Sequence, residues 1–136
     1  MITISKEFNF TAEDFFDYLD EQLLSAIKTA RGNNLPVKLA SGTRYTQGDI
    51  DTEITTYQRG KLYEAHFKND RIDIVISYKT INVSKGVKIT FSEEIKSYDP
   101  SKHGSFNNWL YNVQLKHGAK KELNKMAKNV YTNMQN

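Results

Sequence analysis

Between Ile50 and Ile95 apolar residues recur at alternate positions, and short polar groups interrupt them three times. That period predicts an antiparallel meander with one wet face and one buried face. Ile72, Ile74, Ile76 and Tyr78 alternate with Asp73, Ser77 and Lys79, and only Val75 breaks the pattern. Val87, Ile89, Phe91 and Ile95 do the same against Lys88, Thr90, Ser92, Glu94 and Lys96. Tyr63, Ala65 and Phe67 oppose Leu62, Glu64 and His66, which puts His66 on the solvent side. Arg59-Gly60, Asn69-Asp70 and Ser84-Lys85-Gly86 supply residues that tolerate the positive φ of tight hairpins.

The flanking segments predict what covers the sheet. Met1 to Phe10 reads as a first strand, with Ile2, Ile4, Phe8 and Phe10 on one side and Lys6 standing among them. Thr11-Ala12-Glu13-Asp14 fits a helix-capping box. Phe15, Leu19, Leu23, Ile27 and Ala30 then form an apolar stripe at helical spacing. Gly32-Asn33-Asn34 and Pro36 end it, with one helix or two short ones both compatible. Val37 to Gln47 reads as short extended pieces around Ser41-Gly42, with Gly48-Asp49 as the turn into the meander. Ser97 to Gly104, with Pro100, is a connector, and Ser105 to Met134 is a long C-terminal helix. Its apolar set shifts from Phe106, Trp109, Leu110, Val113 and His117 to Ala119, Leu123, Met126, Val130 and Met134. The shift predicts a bend at Gly118, or else a straight helix wrapping a twisted sheet.

Composition narrows the function classes. A chain of 136 residues is expected to form one domain, 1–136. The chain has no cysteine, which excludes disulfides, thiolate catalysis and cysteine-bound zinc. No apolar run approaches the ~20 residues of a membrane span, and Met1 to Asp20 lacks a signal-peptide centre. A cytoplasmic location is the expectation. The net charge of +3 is polarised. Glu7, Glu13, Asp14, Asp17, Asp20 and Glu21 make the N-terminal segment acidic, and Lys116, Lys120, Lys121, Lys125 and Lys128 make the last helix basic. Attraction between the two ends, or between copies in a homo-oligomer, follows if they meet; two solvated helix faces are the simpler account. The lysines raise nucleic acid or an anionic membrane as partners, but the small net charge and the lack of an arginine and aromatic array disfavour them.

The order strand, helix, antiparallel strands and long C-terminal helix resembles the helix-grip fold of the START-like superfamily, which includes the birch-pollen allergen. Within it, Ile2-x-Ile4, Ala12-Glu13-Asp14-Phe15-Phe16-Asp17, Phe91-Ser92-Glu93 and the lysine-rich last helix resemble a bacterial family of unknown function, number 3284. The resemblance implies an α+β domain whose curved antiparallel sheet grips the last helix, with a cavity between them. It implies no particular reaction.

In that arrangement the first and last strands are neighbours, so Lys6 and Glu93, both charges on faces marked as buried, would be free to pair. They would form the polar end of a ligand cavity walled by Tyr45, Tyr57, Tyr63, Tyr78 and Trp109. The alternative is that a strand bulge turns Lys6 outward and Glu93 sits at a rim. A solid aromatic core is the alternative to a cavity. His66, His103 and His117 lack metal-ligand spacing, no nucleophile elbow or phosphate-binding glycine loop occurs, and no metal or cofactor is expected. The expected function is non-enzymatic binding of a small apolar ligand. Two further readings stay open: an interaction module with a filled core, and an enzyme using Glu93 as acid or base.

Overall fold

The computed structural model describes residues 2–70, 72–98 and 116–135. Strands β1 (Ile2–Phe8), β2 (Arg44–Gln47), β3 (Ile50–Gln58), β4 (Leu62–Lys68), β5 (Ile72–Val83) and β6 (Gly86–Tyr98) accompany helices α1 (Ala12–Arg31) and α2 (Lys116–Met134). The strands form one sheet in the order β1-β6-β5-β4-β3-β2. All five neighbouring pairs are antiparallel. β2 to β6 follow one another by short turns, as the alternation predicts. β1 crosses to pair with β6, and α1 carries the chain from that side of the sheet to β2 at the far edge.

The period-2 pattern places Ile54, Ala65, Phe67, Ile74, Ile76, Ile89 and Phe91 on one buried face. α1 is a single helix, which settles the alternative of two short ones. Its stripe of Phe15, Phe16, Leu19, Leu23 and Ile27 packs into the same core cluster. The capping box forms as expected: the Asp14 amide donates to Thr11 Oγ1 at 3.1 Å and the Thr11 amide donates to Asp14 Oδ2 at 3.0 Å. Gly32 closes the helix in the left-handed conformation, φ 70°. Thr11→Ala removes one of these reciprocal bonds and is expected to cost about 1 kcal/mol in urea unfolding; an unchanged midpoint would show that tertiary packing alone holds the helix start.

α2 contributes Leu123, Ala127 and Val130 to the core. Lys6 Nζ donates to Asn124 Oδ1 at 2.6 Å, and the Asn9 amide, just past β1, donates to the Tyr131 hydroxyl at 3.1 Å, so β1 and its exit are tied to α2 at two points. Met134, expected in the apolar set, is half exposed, while Ala127 takes a buried position. Gly118 is the third residue of α2, and the segment before the expected bend lies outside the described residues, as do the connector with Pro100 and the residues Phe106, Trp109, Leu110 and Val113.

Two details of the turns and strands differ from expectation. Every described residue with positive φ is a glycine. The Asn69-Asp70 turn works through its side chain instead, with the Ile72 amide donating to Asn69 Oδ1 at 2.9 Å. Ile95 lies opposite fully buried Ile74 but is itself about one-third exposed, at 36%.

Candidate functional site

Between α1, the buried face of the sheet and α2 lies a half-open cavity of about 510 Å³. α1 lines it with Leu19, Leu23 and Ala26, the residues at one edge of its apolar stripe, and the sheet with Tyr45, Tyr63, Phe67, Ile76 and Tyr78. α2 supplies Glu122, Lys125, Met126 and Asn129, which fall on one helical face. Across this space Asn129 Nδ2 donates to the Tyr18 hydroxyl at 3.2 Å, a polar link between the two helices.

Three of the expected wall residues therefore come together: Tyr45, Tyr63 and Tyr78. Tyr63 and Tyr78 are cross-strand partners with stacked rings, 6.3 Å between centroids and 24° between planes. Phe15 and Phe91 hold Tyr78 from two sides at 5.7 and 5.2 Å. Burial pushes the phenols of Tyr45, Tyr63 and Tyr78 above the ordinary tyrosine range. The neighbouring Tyr45 and Tyr78 raise Tyr63 further, and the charges of Glu122 and Glu93 raise Tyr78 further. All three are neutral at physiological pH.

The other expected residues take different positions. Lys6 and Glu93 do not pair: the register sets Lys6 opposite Ile89 and Glu93 opposite Ile2, four residues apart along β6 and so roughly 13 Å. No bulge turns Lys6 outward; it stays on the α2 side of β1, where its exposed ammonium reaches Asn124 and passes over the Phe8 ring. Glu93 is not at a rim but 1% exposed, and neither carboxyl oxygen has a hydrogen-bond partner among the described residues. Burial raises its pKa to about 7. It stands opposite Ile76 of the cavity wall without lining the cavity.

Tyr57 faces the same side as Tyr63 but is drawn off by charge. Its hydroxyl donates to Asp20 Oδ1. Burial, then the Asp20 carboxylate, pushes its pKa up to about 12. Arg59 in the β3–β4 turn bridges Asp20, Asp17 and Glu13. The acidic face of α1 is thus fastened to a hairpin rather than to the basic last helix. Trp109 lies outside the described residues. His66 sits on the outer face beside Asp73, Nε2 to Oδ1 2.5 Å, which holds the Asp73 carboxyl below its usual range. No group of three or more metal-ligating side chains occurs among the described residues.

Tyr18 and the α2 residues of the site were not anticipated. Tyr18 sits beside Leu19 just off the apolar stripe, and Glu122, Met126 and Asn129 recur at helical spacing. That spacing was the available signal. It was masked because only Met126 of the three is apolar.

No helix among the described residues is long and apolar enough to cross a membrane. No curated protein matches the sequence. Among solved structures, the chain is similar to a protein of unknown function, SA2116, from Staphylococcus aureus, at 12% identity over 99% of this chain and 95% of that one, with a TM-score of 0.64. It is similar to PFC0360w, an HSP90 activator from Plasmodium falciparum, at 20% identity over 83% and 92%, TM-score 0.55. It is also similar to Ara h 8.0201, at 8% identity over 96% and 97%, TM-score 0.59. At these identities the likeness concerns the fold, and the fold is the helix-grip, START-like one: a curved antiparallel sheet against a C-terminal helix. Residues 2–116 match the family described as a domain of unknown function (DUF3284), and the chain belongs to that family.

Proposed function

We propose that the protein binds a small, largely apolar molecule in the cavity between sheet, α1 and α2, without transforming it. The observation that carries this reading is the cavity itself: about 510 Å³, walled by leucine, isoleucine, phenylalanine and tyrosine from α1 and the sheet, with the polar Glu122, Lys125 and Asn129 of α2 on one side, within the ~300–1,000 Å³ usual for small-molecule sites. Neighbours with this fold include an HSP90 activator, so the fold alone does not choose between cavity binding and protein docking. The space between the layers favours the first over a filled-core interaction module. Much of the acidic α1 face that such a module would present is already engaged by Arg59.

Binding is favoured over catalysis by the chemistry of the wall. The phenols stay protonated, Glu93, whose pKa of about 7 would suit proton transfer, does not line the cavity, and Glu122 and Lys125 of the wall stand together on α2 rather than on opposite sides of the space. Native mass spectrometry of the protein purified from its own host is expected to reveal a bound apolar species. Ala26→Trp, which places an indole in the cavity from a partly exposed position on α1, is expected to abolish that adduct with the thermal midpoint nearly unchanged. A clean apo mass for the wild type, repeated after incubation with a lipid and metabolite extract, would overturn the reading.

A further inference from the structure

The α2 side of this cavity carries two charges, and the helix places them at different depths. At 100° per residue, the lining residues Met126, Glu122, Asn129 and Lys125 stand roughly 60°, 100°, 120° and 160° around α2 from buried Leu123, all on one flank. Lys125 is therefore turned furthest from the core and is exposed, whereas Glu122 is half-buried. Asn129 is already engaged, its side-chain amide donating to the Tyr18 hydroxyl at 3.2 Å. Glu122 is not: no ion pair or hydrogen bond holds its carboxylate among the described residues. The sheet side of the same space is mostly aromatic, with Tyr45, Tyr63, Phe67 and Tyr78. An apolar body filling the space would strip water from the Glu122 carboxylate and put nothing in its place.

We propose that the ligand is an apolar amine bound as its ammonium, with the nitrogen donating to the Glu122 carboxylate and the apolar body lying against Leu19, Leu23 and Phe67. This rests on the cavity being a binding site, and it names the chemistry that site selects. An ammonium brings only donors and a carboxylate only acceptors, so the pair satisfies both when water leaves. Aromatic rings suit the same ligand, because their quadrupole attracts a cation and an aliphatic wall has none to offer. An anion fits less well: Glu122 repels it inside the space, and Lys125, exposed at the rim, would meet it in water, where the attraction is screened.

The test uses three probes of one shape, 2-naphthylmethylamine, 2-naphthalenemethanol and 2-naphthoate, titrated by calorimetry into the full chain at neutral pH and low salt. The wild type is expected to bind the amine about tenfold more tightly than the alcohol, equivalent to ~1.4 kcal/mol, and the carboxylate most weakly. In Glu122→Gln the ratio of amine to alcohol affinity is expected to fall to about one. Glu7→Gln, which removes the same charge from an exposed position on β1 outside the cavity, is expected to keep the tenfold ratio. Equal wild-type affinities for amine and alcohol, a carboxylate that binds tightest, a preference that survives in Glu122→Gln, or one that Glu7→Gln abolishes as well would each overturn the amine assignment and leave cavity binding standing. Failure of all three probes to bind the wild type would overturn both. The wild-type comparison needs no variant, so a Glu122→Gln chain that misfolds leaves the assignment exposed to refutation.

Discussion

Gly86→Ala is expected to cost the fold roughly 2–6 kcal/mol, the sum of a strained backbone and a contact that cannot relax cheaply. Gly86 opens β6 at φ 151°, a conformation that a side chain rarely adopts. A Cβ built there would stand 2.0 Å from the Phe8 carbonyl oxygen and 3.0 Å from that of Phe10. Both obstacles are backbone, at the point where the chain leaves β1 to enter α1. Neither can swing aside as a side chain could. The start of α1 is tied to the same place, with the Ala12 amide donating to Asn82 Oδ1 at 3.3 Å, so a shift of β1 would disturb the helix entry as well. Gly32→Ala is the control, since that residue has φ 70° but nothing within 4 Å of the added carbon. It is expected to lose only about 1 kcal/mol. Urea midpoints should therefore fall well apart for the two variants at similar slopes; equal losses would mean that conformational strain alone, not the approach of β1, makes glycine necessary at the start of β6.

How far the sequence announced this arrangement depends on which interactions set each feature. The alternation of β4, β5 and β6 was legible because one face is dry and one is wet, and the burial of Tyr63, Ala65, Phe67, Ile74, Ile76, Ile89 and Phe91 follows it. The start of α1 was legible because a capping box is a local device that needs no distant partner. Parity in β3 was not. Thr52 and Ile54 face the core at even positions, but a bulge at Thr55 lets odd-numbered Tyr57 face the same side as Tyr63. Thr55 Oγ1 satisfies the irregularity by donating to Glu64, at 2.8 Å to Oε1 and 3.2 Å to the carbonyl. A threonine in a strand is too ordinary to signal this in advance.

The site was half legible for a similar reason. Tyr45, Tyr63 and Tyr78 were identifiable as inward aromatics, and the sheet brings all three to one cavity. Whether Lys6 and Glu93 would meet depended on register between strands some eighty residues apart, which alternation fixes only to within an even number of residues. The actual offset sends each charge to a separate fate: Lys6 to the surface of α2, Glu93 into an apolar pocket. Tyr57 was lost from the expected wall because Asp20, on α1, captures its hydroxyl, and helix-to-sheet placement is not written in either periodicity.

Glu93→Gln is expected to stabilise the protein above neutral pH and to be nearly neutral in mild acid. The carboxyl is 1% exposed, lacks a hydrogen-bond partner among the described residues, and lies between Phe91 and Ile95 with Ile2 and Ile76 opposite. Burial raises its pKa from 4.5 to about 7. The folded chain therefore keeps a proton that the unfolded chain releases between those two values. Stability is complete below pH 4.5, falls as pH rises toward 7, and stays low beyond it. At ~1.4 kcal/mol for each pH unit between the two pKa values, the loss is on the order of 3 kcal/mol. Asp73 works in the opposite sense, because its lowered pKa contributes stability that disappears as pH falls. The difference between wild type and variant cancels that contribution and isolates Glu93. Urea unfolding at pH 5 and pH 8 should give similar midpoints at the first and a higher one for the glutamine variant at the second. Parallel pH profiles would mean that the Glu93 carboxylate is accommodated where it stands. A buried acid that costs stability whenever it ionises is hard to account for by packing alone, since leucine would fill the space at no such cost. Its position opposite Ile76, and its electrostatic effect on Tyr78, place that cost one strand away from the cavity wall.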